Sequence, residues 1–176
     1  MVEPQPEPWL RGTLNEVPVV HRAVLHALEL AEEDLSRWCG ALTASELNAR
    51  PAGVPSVAFQ IRHVARSIDR LLTYAENQQL NEEQFKALRS EMDGNEPPEE
   101  MLAEARAKFV YAARRILALV GEDLETPRTV GRQRRPTRLG ALLVHIADHT
   151  QRHVGQAITT TKIVRGSTEA RLRAAD

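Results

Sequence analysis

The sequence predicts an all-α protein, an antiparallel four-helix bundle, from three observations. Hydrophobic residues recur with a helical period of 3.6 in four separate windows. Strand-forming residues nowhere alternate over a convincing stretch. Aromatic residues make up only 4% of the chain, while alanine and leucine, both strong helix formers, abound. Amphipathic helices of about 20 to 27 residues bury their apolar stripes best against one another.

The first helix is expected from about Asn15 to Trp38, with Asn15 as N-cap and Pro18 tolerated in the first turn. Val20, Val24, Ala27, Leu28, Ala31, Leu35 and Trp38 form its stripe, and Gly40 suits the stop. A loop from Ala41 to Pro55 follows. Ser56 caps a second helix that reaches about Asn77, its inward face being Val57, Ile61, Val64, Ile68, Leu71 and Leu72. Within the polar segment NQQLNEEQFKALRSEMDGNE, residues Glu82 to Ser90 have the pattern of an extra short helix.

Pro97 and Pro98 open the third helix, and Glu99 and Glu100 complement the positive end of its dipole. Leu102, Ala105, Phe109, Ala112, Ile116 and Leu119 keep its period to Gly121. The segment TPRTVGRQRRPT is expected as a loop, with Thr137 capping a fourth helix through Leu139, Leu142, Ile146 and Ala157 to about Val164. One domain is expected over residues 1–176, with 1–14 as an N-terminal extension and 166–176 as a charged, frayed tail.

Composition narrows the function classes. A formal net charge of −1 sets up no global field toward nucleic acid or an anionic membrane. The arginines at 128, 132, 134, 135 and 138 are read as a solvated loop, because the aromatics that would stack bases are missing. The single cysteine, Cys39, excludes an internal disulfide and fits a reducing compartment. No stretch approaches the roughly 20 apolar residues that span a bilayer. The acidic, Pro-rich start MVEPQPEPWLRG lacks the order of a secretory signal, so a cytoplasmic location is expected.

His145, His149 and His153 recur every four residues inside ALLVHIADHTQRHVGQAI. Residues four apart share a helix face, displaced by about 40° per step. Taking His149 as zero, the apolar positions of that helix fall between about 20° and 80°, and His153 lies near 40°. His145 falls near −40°, outside the stripe. The pair His149 and His153 therefore has the geometry of an interior site, with His145 at its border. Two buried imidazoles need compensation, and a transition metal supplies it. A bundle draws further ligands from a facing helix, and His63, on the flank of the second stripe, is the best candidate. His21 lies at the margin of the first stripe, and His26 opposite it, toward solvent. Thr150 stands where an H-E-x-x-H motif needs glutamate, which argues against a zincin-type protease. No Glu-x-x-His pair of the di-iron type occurs.

The run LNARPAGVPSVAFQIRHVARSIDRLLTYA, with the later LLVHIADHTQRHVGQAITTTKIVRG, resembles the DinB/YfiT superfamily of metal-binding four-helix bundles. The shared pattern is a Pro-rich loop, a histidine early in the second helix, and a C-terminal H-x-x-x-H followed by Gly-Gln. This chain shows ARPAGVPS, His63, His149 with His153, and Gly155-Gln156. It departs from the pattern at Pro55-Ser56 and at Arg152 to Gln156, which alters pocket walls and removes no ligand.

The resemblance implies that His63, His149 and His153 are metal ligands between the second and fourth helices, with His145 outside the coordination shell. It also implies a metal-dependent enzyme, most specifically an S-transferase that uses a small thiol of the bacillithiol or mycothiol type, and a homodimer. A hydrolase and a non-catalytic, metal-stabilised binding protein are the alternatives. Zinc or nickel is the expected cofactor, and iron or manganese also suits three imidazoles. With zinc, an open position lowers the pKa of water to about 7, or takes a thiolate. Gln156, one turn beyond the motif, is a candidate to hydrogen-bond a substrate or a metal-bound water, and Tyr74 and Gln60, on the His63 side of the second helix, are further candidates around the site. No residue pattern singles out a general base.

Overall fold

The structure, a computed structural model, describes residues 5–92 and 97–175, with side chains as far as residue 167. Residues 1–4 of the expected extension and 93–96 of the polar segment lie outside the described residues. Four long helices form the body: α1 (Val19–Cys39), α3 (Val57–Ala75), α5 (Pro98–Ala118) and α6 (Leu139–Ala175). Two short ones, α2 (Ala44–Asn48) and α4 (Glu82–Arg89), sit in the connections. α1 and α3 each pack against both α5 and α6. The two consecutive long helices α1 and α3 are therefore not a main packed pair. The segment between them is long enough to cross the bundle because it folds on itself, through a Thr43–Glu46 capping box and a 3-10 turn at Pro51–Gly53.

The core is built largely from the stripes the sequence predicts, with Val20, Ala27, Trp38, Leu71 and Leu102 only half-buried at its edge and Leu143 added to it. Val24, Leu28, Ala31 and Leu35 of α1 meet Ile61, Val64, Ile68 and Leu72 of α3, Phe109 and Ile116 of α5, and Leu139, Leu143 and Ile146 of α6 in one buried cluster. Ser56 caps α3 as expected, its Oγ accepting from the Phe59 amide at 3.2 Å. α4 forms where the extra helix was expected, capped reciprocally by Asn81 and Gln84.

Several expectations are corrected. α1 begins at Val19, with Pro18 rather than Asn15 at its cap; the Asn15 amide instead donates to the Gly12 carbonyl at 2.7 Å and closes a turn. That N-terminal segment lies on α1, where Arg11 reaches Glu29 at 2.8 Å and Glu33 at 2.6 Å. Both His21 and His26 are buried as a result of tertiary packing, and His26 Nε2 lies 3.1 Å from Thr13 Oγ1 in the same segment.

The segment expected as a loop is a β-hairpin, β1 (Pro127–Val130) paired antiparallel with β2 (Arg135–Arg138), and Thr137 lies in β2 rather than capping α6. The first amides of α6 are satisfied by main chain: Leu139 donates to the Thr126 carbonyl at 3.0 Å, and Gly140 to that of Leu124 at 2.8 Å. Gly140 suits this close approach, since a Cβ there would stand 3.2 Å from Leu124 Cβ. Arg128 is buried, not solvated; its guanidinium donates to the Ala75 carbonyl at the end of α3 and pairs with Glu122. Finally, α6 continues to Ala175, past the stop expected near Val164.

Candidate metal centre

α6 carries His149 and His153 one turn apart on the side facing α3, and α3 carries His63 two turns after its Ser56 cap. Packing of α3 on α6 brings the three rings together. One ligand atom from each lies within 4.8 Å of the others, and His63 Nε2 stands 3.0 Å from His149 Nε2. The ring centroids of His63 and His153 are 4.3 Å apart, and those of His149 and His153 are 4.5 Å apart. Phe59 stacks on the outer face of His63 at 5.4 Å.

Two of the rings are held from behind. His63 Nδ1 is 2.7 Å from Glu91 Oε2, and His153 Nδ1 is 2.7 Å from Gln60 Oε1. A carboxylate and an amide oxygen both accept, so each Nδ1 carries the proton and each Nε2 presents its lone pair to the centre. Glu91 is itself fixed: Arg70 bonds its Oε1 at 2.5 Å, and Arg62 Nε donates to its carbonyl at 3.0 Å. This outer layer is the usual device for orienting imidazole ligands.

The electrostatics disfavour the charged form of the two α6 rings. Burial, with His153 and His63 beside it, pushes His149 down to about 4. Burial, His63 and Arg152 lower His153 as well. Burial alone would raise Glu91, yet the hydrogen bonds from His63 and Arg70 hold it below the usual carboxylate value. Neutral imidazoles and a buried carboxylate are the forms that metal binding needs. Nitrogens each about 2.0–2.1 Å from one ion lie roughly 3 Å apart, a separation compatible with that between His63 and His149.

The remaining predicted residues surround this core in different ways. His145 is exposed, 3.8 Å from Asp148, with its ring centroid 5.3 Å from that of His149; it is not one of the clustered three. Together with Tyr74, His63 and His149 it lines a cavity of about 580 Å³. Gln60 is buried and spent on His153, so it positions a ring rather than touching that cavity. Gln156 is exposed, contacts His153 and lines a neighbouring cavity of about 570 Å³. Glu91 and Arg70 were missed from the sequence because Glu91 follows α4 without any periodicity. A signal did exist: Arg62, Arg66 and Arg70 recur every four residues along α3, and a row of guanidinium groups on one helix face calls for carboxylates opposite.

A helical bundle whose facing helices hold a cluster of imidazoles defines the class: bundle proteins with a candidate metal site between helices. The chain belongs to the DinB superfamily, whose sequence profile matches residues 27–157. Among solved structures, the fold is similar to YfiT from Bacillus subtilis, described as a probable metal-dependent hydrolase with an unusual four-helix bundle topology. That likeness has a TM-score of 0.59 at 17% identity and covers 83% of this chain and 87% of the other. No curated protein gives a significant match. Among the described residues, no helix is long and apolar enough to cross a membrane.

Proposed function

We propose that this chain is a metal-dependent enzyme that activates a small thiol for S-transfer to an electrophile, with His63, His149 and His153 as the metal ligands. The observation that carries the proposal is the convergence of three imidazole nitrogens, two of the rings held from behind by Glu91 and Gln60, beside a cavity. A divalent cation held by His63, His149 and His153 would supply Lewis acidity that favours the ionised form of a thiol or water near neutral pH.

The chain's own residues then divide the work. Glu91 and Gln60 aim the two Nε2 atoms, and Arg70 holds Glu91 ionised. Tyr74, with Leu71 and Leu80, gives the cavity a largely apolar wall. His145, at the cavity wall, is placed to accept the proton released from the nucleophile. A thiol, with an ordinary pKa near 8.5, needs far less help than water to ionise.

Hydrolysis is the second reading, supported by the description of YfiT. The two are separated by reconstituting the metal-stripped protein with Zn²⁺, Ni²⁺, Mn²⁺ or Fe²⁺. Thioether formation from cysteine, bacillithiol or mycothiol with a haloarene is then compared with release of phenol from aryl esters. Metal-dependent thioether formation is expected. Ester turnover without thiol transfer would establish the hydrolase, and metal-dependent stabilisation without either turnover would establish a structural staple. Elemental analysis should show one ion per chain, lost in His63→Ala, His149→Ala and His153→Ala and kept in His26→Ala; metal retained by the first three would overturn the assignment.

A further inference from the structure

The cavity beside the imidazoles carries a feature that metal binding does not use. Arg89, in the last turn of α4, and Arg132, in the turn of the β-hairpin, both line it and both are exposed. Other arginines nearby are engaged: Arg66 with Glu104 at 3.2 Å, Arg70 with Glu91, and Arg128 with Glu122. Arg89 and Arg132 have no carboxylate partner among the described residues, nor does any carboxylate line this cavity. Arg132 is instead spread over the Phe85 ring at 5.1 Å, which orients its guanidinium while leaving its donors unspent. Between the two arginines and the imidazoles the wall is apolar, made by Leu71, Leu80, Phe85 and Leu88. Cavities of 300–1,000 Å³ that are mostly apolar with a few convergent polar groups take small molecules.

We propose that this cavity binds a substrate with an apolar body and an oxyanion head group, carboxylate or phosphate, the head group held by Arg89 and Arg132. The planar guanidinium fork matches both oxyanions and discriminates against a neutral amide. Placed so, the apolar body lies along α4 and α3, with its far end toward His63 and His149. This assignment rests on the cavity being the substrate site of the enzyme proposed above, but it needs no bound metal.

The test uses the full-length, metal-stripped protein at pH 8 and calorimetric titration with three probes: 4-phenylbutanoate, 3-phenylpropyl phosphate and neutral 4-phenylbutanamide. At least one anion is expected to bind about ten-fold or more tighter than the amide, as one charge-assisted contact implies. Arg89→Gln with Arg132→Gln should bring that anion down to the level of the amide and leave amide binding unchanged. Preference for one anion over the other identifies the head group as carboxylate or phosphate. Equal binding of anions and amide, or undiminished anion binding in the double variant, overturns the proposal. Loss of amide binding along with the anions also overturns it, since the arginines would then act by packing. Metal content of the double variant, expected at one ion per chain, is measured separately, so failure of the metal centre and failure of the anion site are distinguishable.

Discussion

Glu91 shows how a single buried charge sets the properties of the centre. It stands 2.7 Å from the ring of His63 and 2.5 Å from Arg70, so its carboxylate both locks a tautomer and answers a buried cation. Glu91→Ala is expected to lower metal affinity about 10–100-fold, with Glu91→Gln falling between, as read by competition with a chromogenic chelator. A merely structural role would lower the melting temperature and leave that affinity alone. His149 adds a pH dependence to the metal-free protein. Its folded pKa, near 4, lies below the ordinary 6.5, so the unfolded chain takes up the proton first. Its contribution is complete above pH 6.5 and is lost as pH falls from 6.5 toward 4. Glu91, also lowered, loses its contribution as pH drops below 4.5. Thermal melts across this range should show stability declining on acidification, with a shallower decline between pH 6.5 and 4.5 in His149→Gln.

At the level of elements, the site depends on parts that lie outside the four long helices. α4 delivers Glu91 from its C-terminal side and also carries Phe85 and Arg89, which line the cavity. The β-hairpin closes the same end, tied down by Arg128, whose guanidinium caps the Ala75 carbonyl at the end of α3 and meets Glu122. Arg128→Ala leaves that carbonyl without its donor and should cost about 1–3 kcal/mol in urea unfolding. Because Gly131 and Arg132 sit in the hairpin's turn, the same variant is expected to weaken anion binding at the cavity without changing metal content.

For the whole molecule, the imidazole cluster joins α3 to α6, the pair that with α1 and α5 encloses the core. A cation that binds only the folded state stabilises it by mass action, by about 2.7 kcal/mol at one hundred times the dissociation constant. For a chain of this size that corresponds to a rise on the order of 5–10 °C in melting temperature. Calorimetry should show this rise on adding metal, reversal on chelation, and no response in His149→Ala.

Helix positions were legible because they follow from local periodicity: the stripe from Val57 to Leu72 and the Ser56 cap need nothing beyond their neighbours in the chain. The H-x-x-x-H step from His149 to His153 is likewise a local geometric fact, which is why two of the three clustered rings could be picked out from wheel angles. His63 stood only on the flank of its stripe, and its place beside them was decided by how α3 packs on α6. Tertiary structure alone brought Glu91 to His63, 28 positions away, buried His21 and His26, and turned a segment expected as solvated loop into a hairpin that buries Arg128. The physical reason is the same in each case. Periodicity encodes which face of an element turns inward, whereas the pairing of charges and polar rings depends on which other element arrives at that face.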